Sequence, residues 1–201
     1  MPIAQELDHI ASELVVWHSY DQSVKAELFS TVLKGPAEAF LIDPIPLGSE
    51  ALADLQATFQ IARIFVTNIN HARAFPEFAQ LLSVPVFVNN VLAGGADFPN
   101  AIGTEEGKIS PGVTAIAVDG GPAGEMALHF EANGGTLVVG DSLINFDPHG
   151  FDFLPAKYCL DPKQMRRSLS KLMDYRFERI CFAHGTPILS GARDRLGQLL
   201  E

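Results

Sequence analysis

Ile64-Phe65-Val66-Thr67-Asn68-Ile69-Asn70-His71-Ala72-Arg73 carries a run of β-branched and aromatic residues that ends at Thr67, and a helical pattern begins after His71. The polar residues between them therefore stand at the carboxyl end of a strand, where a catalytic loop belongs. The following helix has Phe75, Phe78, Ala79 and Leu82 on one face. Pro85 then opens a short buried strand, Val86-Phe87-Val88. Upstream, Ser49 is placed to cap another helix whose apolar stripe is Leu52, Leu55 and Phe59.

Farther out, Glu13 to His18, Val24 to Leu33 and Glu38 to Ile42 read as a β-meander separated by Tyr20-Asp21 and Gly35-Pro36. From Ala93 to Gly112 glycine and proline thicken and periodicity is lost, which predicts an irregular excursion with a short strand at most. Strands resume at Val113 to Val118, Glu125 to Glu131 and Thr136 to Val139, the last pair joined by the hairpin chemistry of Asn133-Gly134-Gly135. Asn145 to Pro155 reads as an irregular segment lying over the site. Asp161-Pro162 starts a helix with an Asp cap and Pro in the first turn, Arg179 to Ala183 forms a final strand, and Ser190 caps the last helix. Strands in two batches, each followed by helices, imply two sheets packed face to face and covered outside by helices. The fold class is α/β (α+β), a four-layer αββα sandwich, with residues 1–201 as one domain.

The order of these pieces resembles the metallo-β-lactamase superfamily. That family carries THxHxDH at the strand end, where this chain has Thr67 to Arg73. Phe40-Leu41-Ile42-Asp43-Pro44 is similar to the strand and Asp behind the metal loop, and Gly120-Gly121-Pro122-Ala123-Gly124 stands at the Gly-His-x-x-Gly turn. Leu137 to Leu143 matches the strand and Gly-Asp turn, and Cys181 to Pro187 the closing His-Gly. The resemblance places Asn68, Asn70, Ala72, Arg73, Gly121, Asp141 and His184 where the family binds two metal ions.

A hydrolytic zinc ion takes about three protein ligands and keeps a position open for water. Of the mapped residues only Asp141 and His184 suit zinc, because amides are hard neutral donors, Gly and Ala donate nothing, and Arg73 is a permanent cation. No metal or other cofactor is expected, and if one divalent metal ion is held, Asp141 and His184 are its ligands. In one reading the Arg73 guanidinium pairs with Asp141 in place of a metal; in the other, Arg73 turns to solvent and Asp141 caps a backbone turn. His71 lies at a spacer position, where an extended chain would aim it away from its neighbours' side, so the spacing favours a capping or exposed histidine over a ligand or catalyst. Asn68 and Asn70 alternate onto one side and can orient a ligand or tie down the loop. Together with Arg73, Gly121, Asp141 and His184 they outline the expected cleft. His149 is expected in a surface turn.

The formal net charge of -10 argues against a nucleic-acid partner, and no apolar run spans a bilayer. Cys159 and Cys181 lie outside any metal or disulfide spacing. A cytoplasmic protein is expected, since the amino terminus has no basic region ahead of an apolar stretch. Three functions follow: a hydrolase-like protein with a degenerate zinc site and a cleft for a small polar or anionic ligand; an active hydrolase of an ester, thioester or phosphoester using one atypical metal, with His71 or Asn68 contributing; or a non-catalytic interaction module, as a homodimer.

Overall fold

The computed structural model describes residues Met1–Glu201. The first sheet is built in sequence order from β1 (Asp8–Ala11), β2 (Leu14–Asp21), β3 (Ala26–Lys34), β4 (Ala39–Ile42), β5 (Ile61–Phe65), β6 (Val86–Asn89) and β7 (Ile102–Thr104). Pairing is antiparallel as far as β4 and parallel from β4 to β7. The change of sense follows from the connections, since α1 (Ser49–Thr58) and α2 (Phe75–Leu82) are the crossovers that parallel neighbours require. The second sheet contains β8 (Gly107–Ser110), β9 (Val113–Ala117), β10 (Met126–Phe130) and β11 (Thr136–Val139) as an antiparallel meander. After a separate hairpin of β12 (Leu143–Phe146) and β13 (Gly150–Phe153), α3 (Pro162–Leu169) leads to β14 (Arg179–Phe182), which pairs parallel with β11. The chain ends in α4 (Ala192–Leu200).

Strand alternation sorts the apolar residues into three cores, and the three cores define four layers. On β2, Leu14 and Val16 face the second sheet and pack with Phe40, Phe65, Met126, Leu128 and Phe130, whereas Val15 and Trp17 face α1 and α2. Trp17 is fully buried there, and its indole N–H donates to the Ile45 carbonyl at 3.1 Å. On the far side, Ile116, Leu137 and Ile180 pack against Met165 and Leu169 of α3 and Leu196 of α4. Burial of each such side chain contributes about 1.5–3 kcal/mol. The αββα sandwich is thus present, and no helix is long and apolar enough to cross a membrane.

Several elements differ from the sequence reading. β1 joins the meander ahead of the expected first strand. The segment 93–112 holds two strands, β7 and β8, which form the outer edges of the two sheets; their interstrand hydrogen bonds outweigh local glycine content. Asn145 to Pro155 contains most of the β12–β13 hairpin. The cap of α1 is Gly48, with Ser49 already helical, and the cap of α4 is Gly191 in the left-handed region rather than Ser190. Asp161 does cap α3, accepting from the backbone of Lys163 and Gln164. The cysteines are unpaired, Cys181 buried and Cys159 half-buried.

At one end of the sandwich the two sheets touch through their backbones. The Phe29 amide donates to the Ala183 carbonyl at 2.9 Å, and the Met126 amide donates to the Thr67 carbonyl at 2.9 Å. The chain leaves the parallel strands β4, β5, β11 and β14 there, so Asp43, Thr67, Asp141 and His184 arrive at a common rim.

Candidate functional site

Past β5, the backbone amide and the hydroxyl of Thr67 both donate to Asp43, at 2.8 Å to Oδ1 and 2.6 Å to Oδ2. This two-point grip accompanies a left-handed backbone at Asp43, φ 49°. Asn68 then caps a 3₁₀ turn over Ile69–His71, its Oδ1 accepting from the Asn70 amide at 2.8 Å. In such a turn residues three apart share a face. His71 therefore follows Asn68 into the interior, contrary to the extended-loop reading that aimed it away.

His71 is 1% exposed. Its Nδ1 lies 2.9 Å from Asp43 Oδ2 and 2.8 Å from Thr67 Oγ1, and its Nε2 lies 2.9 Å from Asp141 Oδ1. Burial and the Arg73 guanidinium oppose its charged form, but Asp141 and Asp43 outweigh them and raise its pKa to about 9. At neutral pH the ring is an imidazolium that bridges two carboxylates. Asp43 and Asp141 are held correspondingly low: burial opposes ionisation in both, and the His71 charge overrides it.

Arg73 takes neither expected course. It is half-buried with φ 25°, donating from Nη1 to the carbonyls of Phe29 at 2.8 Å and Asp43 at 3.4 Å, and from Nη2 to that of Ala183 at 3.4 Å. It ties together the backbones of both sheets and makes no ion pair with Asp141. Asp141 instead meets His71 and His184 through Oδ1 and accepts from Asn70 Nδ2 at 3.0 Å through Oδ2. His184 places Nε2 at 3.2 Å from Asp141 Oδ1 and Nδ1 at 3.1 Å from the Glu27 carbonyl. Burial lowers its pKa despite the attraction of Asp141.

Asn70, His71, Arg73, Asp141 and His184 line a cleft of about 1000 Å³, together with Lys25 of the β2–β3 turn, His149 of the β12–β13 hairpin, and Lys157 and Tyr158. Asn68 and Gly121 do not line it. Asn68 is fully buried behind the floor, where its Nδ2 donates to Glu125 Oε2 at 2.6 Å. Gly121 leaves room for Glu125, whose Cγ would lie 3.0 Å from any added Cβ. His149 is exposed yet borders the cleft, because the hairpin carries it there.

Sequence reasoning missed Glu125. It is buried, and besides Asn68 it accepts from the Ser142 amide at 2.8 Å. Burial, and then the charge of Asp141, raise its pKa to about 7. The only sequence signal is an acid at the mouth of an otherwise apolar strand, directly after the Gly-rich turn.

A family profile described as the metallo-beta-lactamase superfamily matches residues 8–201. The chain belongs to the metallo-β-lactamase superfamily. Among solved structures, the DIM-1 metallo-β-lactamase exposed to ceftazidime superposes with a TM-score of 0.75 at 12% identity, covering 99% of this chain and 97% of that one. A metallo-β-lactamase from Pontibacter korlensis gives 0.73 at 15% identity over 97% and 98%. A metallo-β-lactamase family protein from Thermus thermophilus gives 0.66 at 17% identity over 95% and 79%. At these identities the likeness establishes the fold. No curated protein matches the chain.

The family's pair of metal ions does not fit these residues. Both polar atoms of Asn68 are engaged within the protein, Ala72 and Gly121 offer no donor, and the Arg73 guanidinium sits 3.4 Å from His184 Nε2. What remains competent is one cluster, His71, Asp141 and His184, with ligand atoms within 4.8 Å of one another.

Proposed function

We propose that this metallo-β-lactamase-fold protein has exchanged the dinuclear zinc centre for internal cations and uses its cleft to bind a small anionic ligand. The carrying observation is the sign of the cleft. In a chain of net charge -10, its lining holds Arg73, Lys25, Lys157 and the His71 imidazolium against the carboxylates Asp21 and Asp141. A concave, partly apolar wall concentrates that field and draws anions against the charge of the rest of the molecule. Arg73 and His71 are spent mainly on internal partners and set the potential of the floor. Lys25 and Lys157 stand at the cleft wall, where Lys157 Nζ lies 4.6 Å from the centre of the Tyr158 ring.

The test is a thermal-shift series on chelator-treated protein with phosphate, sulfate and small dicarboxylates at low ionic strength. A saturable stabilisation is expected, reaching about 2.7 kcal/mol at a hundred times the dissociation constant. It should weaken at least tenfold in Kd in a Lys25→Glu, Lys157→Glu double variant. Absence of any saturable response rejects the reading.

A further inference from the structure

We infer that the ligand of the cleft is an amphipathic organic anion, a carboxylate or phosphate head carrying an apolar body, and that Ile144 and Phe146 of β12, together with Val24 and Tyr158, select for that body. This rests on the anion reading above and adds the chemical class of the ligand to it.

The β12–β13 hairpin carries apolar residues on both faces. Its register sets Leu143 opposite Phe153 and Asn145 opposite Phe151, and alternation turns Leu143, Phe151 and Phe153 towards the core beneath α3 and α4. Ile144 and Phe146, paired with Asp152 and Gly150, stand on the other face, and both line the cleft. An antiparallel strand with one face on a core ordinarily turns polar residues outward. Here β12 turns out an isoleucine and a phenylalanine, and neither belongs to any of the three cores.

Two further apolar groups stand beside cations. Val24 in the β2–β3 turn is 59% exposed and precedes Lys25, and Tyr158 is 58% exposed and follows Lys157; all four line the cleft. The turn is pinned by the Ser23 amide and hydroxyl, which donate to Asp21 Oδ1 at 2.8 and 2.6 Å. That engages one of the two carboxylates of the cleft, while His71, His184 and Asn70 engage the other, Asp141. An incoming anion therefore meets two exposed lysines, each with an apolar neighbour. Size gives the remaining step. A bare oxyanion displaces on the order of 100 Å³, about four times the share of a water molecule, and would fill roughly a tenth of the 1000 Å³. Cavities of these dimensions, largely apolar with a few convergent polar groups, hold organic ligands. A phosphate or sulfate ion alone would leave Phe146, Val24 and Tyr158 against water, whereas an apolar body on the same head covers them.

The test is calorimetric titration of chelator-treated full-length protein with butyrate, hexanoate and octanoate, and with octylammonium as the cation of equal chain length. Affinity is expected to rise about two- to fourfold for each methylene, fourfold corresponding to complete burial of a CH2. Octanoate should thus bind at least tenfold more tightly than butyrate, and at least tenfold more tightly than octylammonium. In Phe146→Ala the ratio of octanoate to butyrate affinity should fall at least threefold. Because that variant can fail to fold, intermolecular NOEs from the octanoate chain to the Phe146 and Tyr158 rings are sought in the wild type. A chain-length gain below tenfold, an unaltered ratio in the folded variant, or the absence of those NOEs would overturn the inference. Stabilisation by phosphate or sulfate that persists without a chain-length gain leaves the proposed function standing and removes only this inference. Octylammonium binding within tenfold of octanoate, or no binding by any anion, removes both.

Discussion

Asn145 clasps the chain on both sides of Gly185: its amide donates to the His184 carbonyl at 3.1 Å, and its carbonyl accepts from the Thr186 amide at 3.0 Å. The β12–β13 hairpin is thereby coupled to the residue that closes the cleft. Gly185 has φ 118°, and a Cβ there would fall on the Asn145 carbonyl.

Gly185→Ala is therefore expected to cost about 1–3 kcal/mol, because the backbone strain of a side chain in that region adds to the collision with Asn145. Chemical denaturation measures the loss. A change below about 0.5 kcal/mol, the usual range of a neutral surface substitution, would show that the clasp is dispensable.

Asp43→Asn removes the charge that His71 Nδ1 and the Thr67 hydroxyl both address. Breaking a buried charge pair by altering one member costs about 3–5 kcal/mol, and the variant should unfold at correspondingly lower urea. The His71 ring N–H protons, buried in the wild type, should exchange faster in the variant than in the wild type. Unaltered exchange with unaltered stability would contradict the bridging role.

Arg73→Lys keeps the charge but cannot reach carbonyls on both sheets at once, since an ammonium lacks the guanidinium fork. A loss of about 2 kcal/mol is expected from the unsatisfied carbonyls of Phe29 and Ala183. Equal stability of the Lys variant would mean that charge alone suffices there.

Stability of the metal-free protein should peak in mildly acidic solution. His71 has its folded pKa raised from 6.5 to about 9, so its contribution is complete below pH 6.5 and is lost as pH climbs through 9. Glu125, raised from 4.5 to about 7, favours the fold when protonated, and that contribution fades between those values. Asp43 and Asp141 are lowered, so their contributions hold above the ordinary carboxylate range and vanish in strong acid. The alkaline decline amounts to a few kcal/mol, on the order of 1.4 kcal/mol per tenfold change in proton affinity. Urea midpoints from pH 4 to 10 in chelator would follow it, and His71→Gln should remove the arm between neutrality and pH 9. A maximum on the alkaline side would contradict this charge assignment.

The αββα layering was legible in the sequence because alternation on the strands and apolar stripes on the helices are local patterns. Leu14 and Val16 against Val15 and Trp17 already declare two buried faces, and Asp161-Pro162 declares a helix start. Asp43, Asp141 and His184 were legible as strand-end polar residues in the order the fold demands. The role of His71 was not, because periodicity cannot distinguish an extended loop from one 3₁₀ turn, and that choice turns the ring from the surface to the centre. Nor was Glu125, whose partners Asn68 and Ser142 lie 57 and 17 residues away. The chain by itself determined the layers and set Asn68, Asn70, Ala72, Arg73 and Gly121 at the mapped positions. Tertiary structure alone decided which groups meet at His71, since the energy of a buried charge depends on which oxygens the two sheets bring within about 3 Å of it.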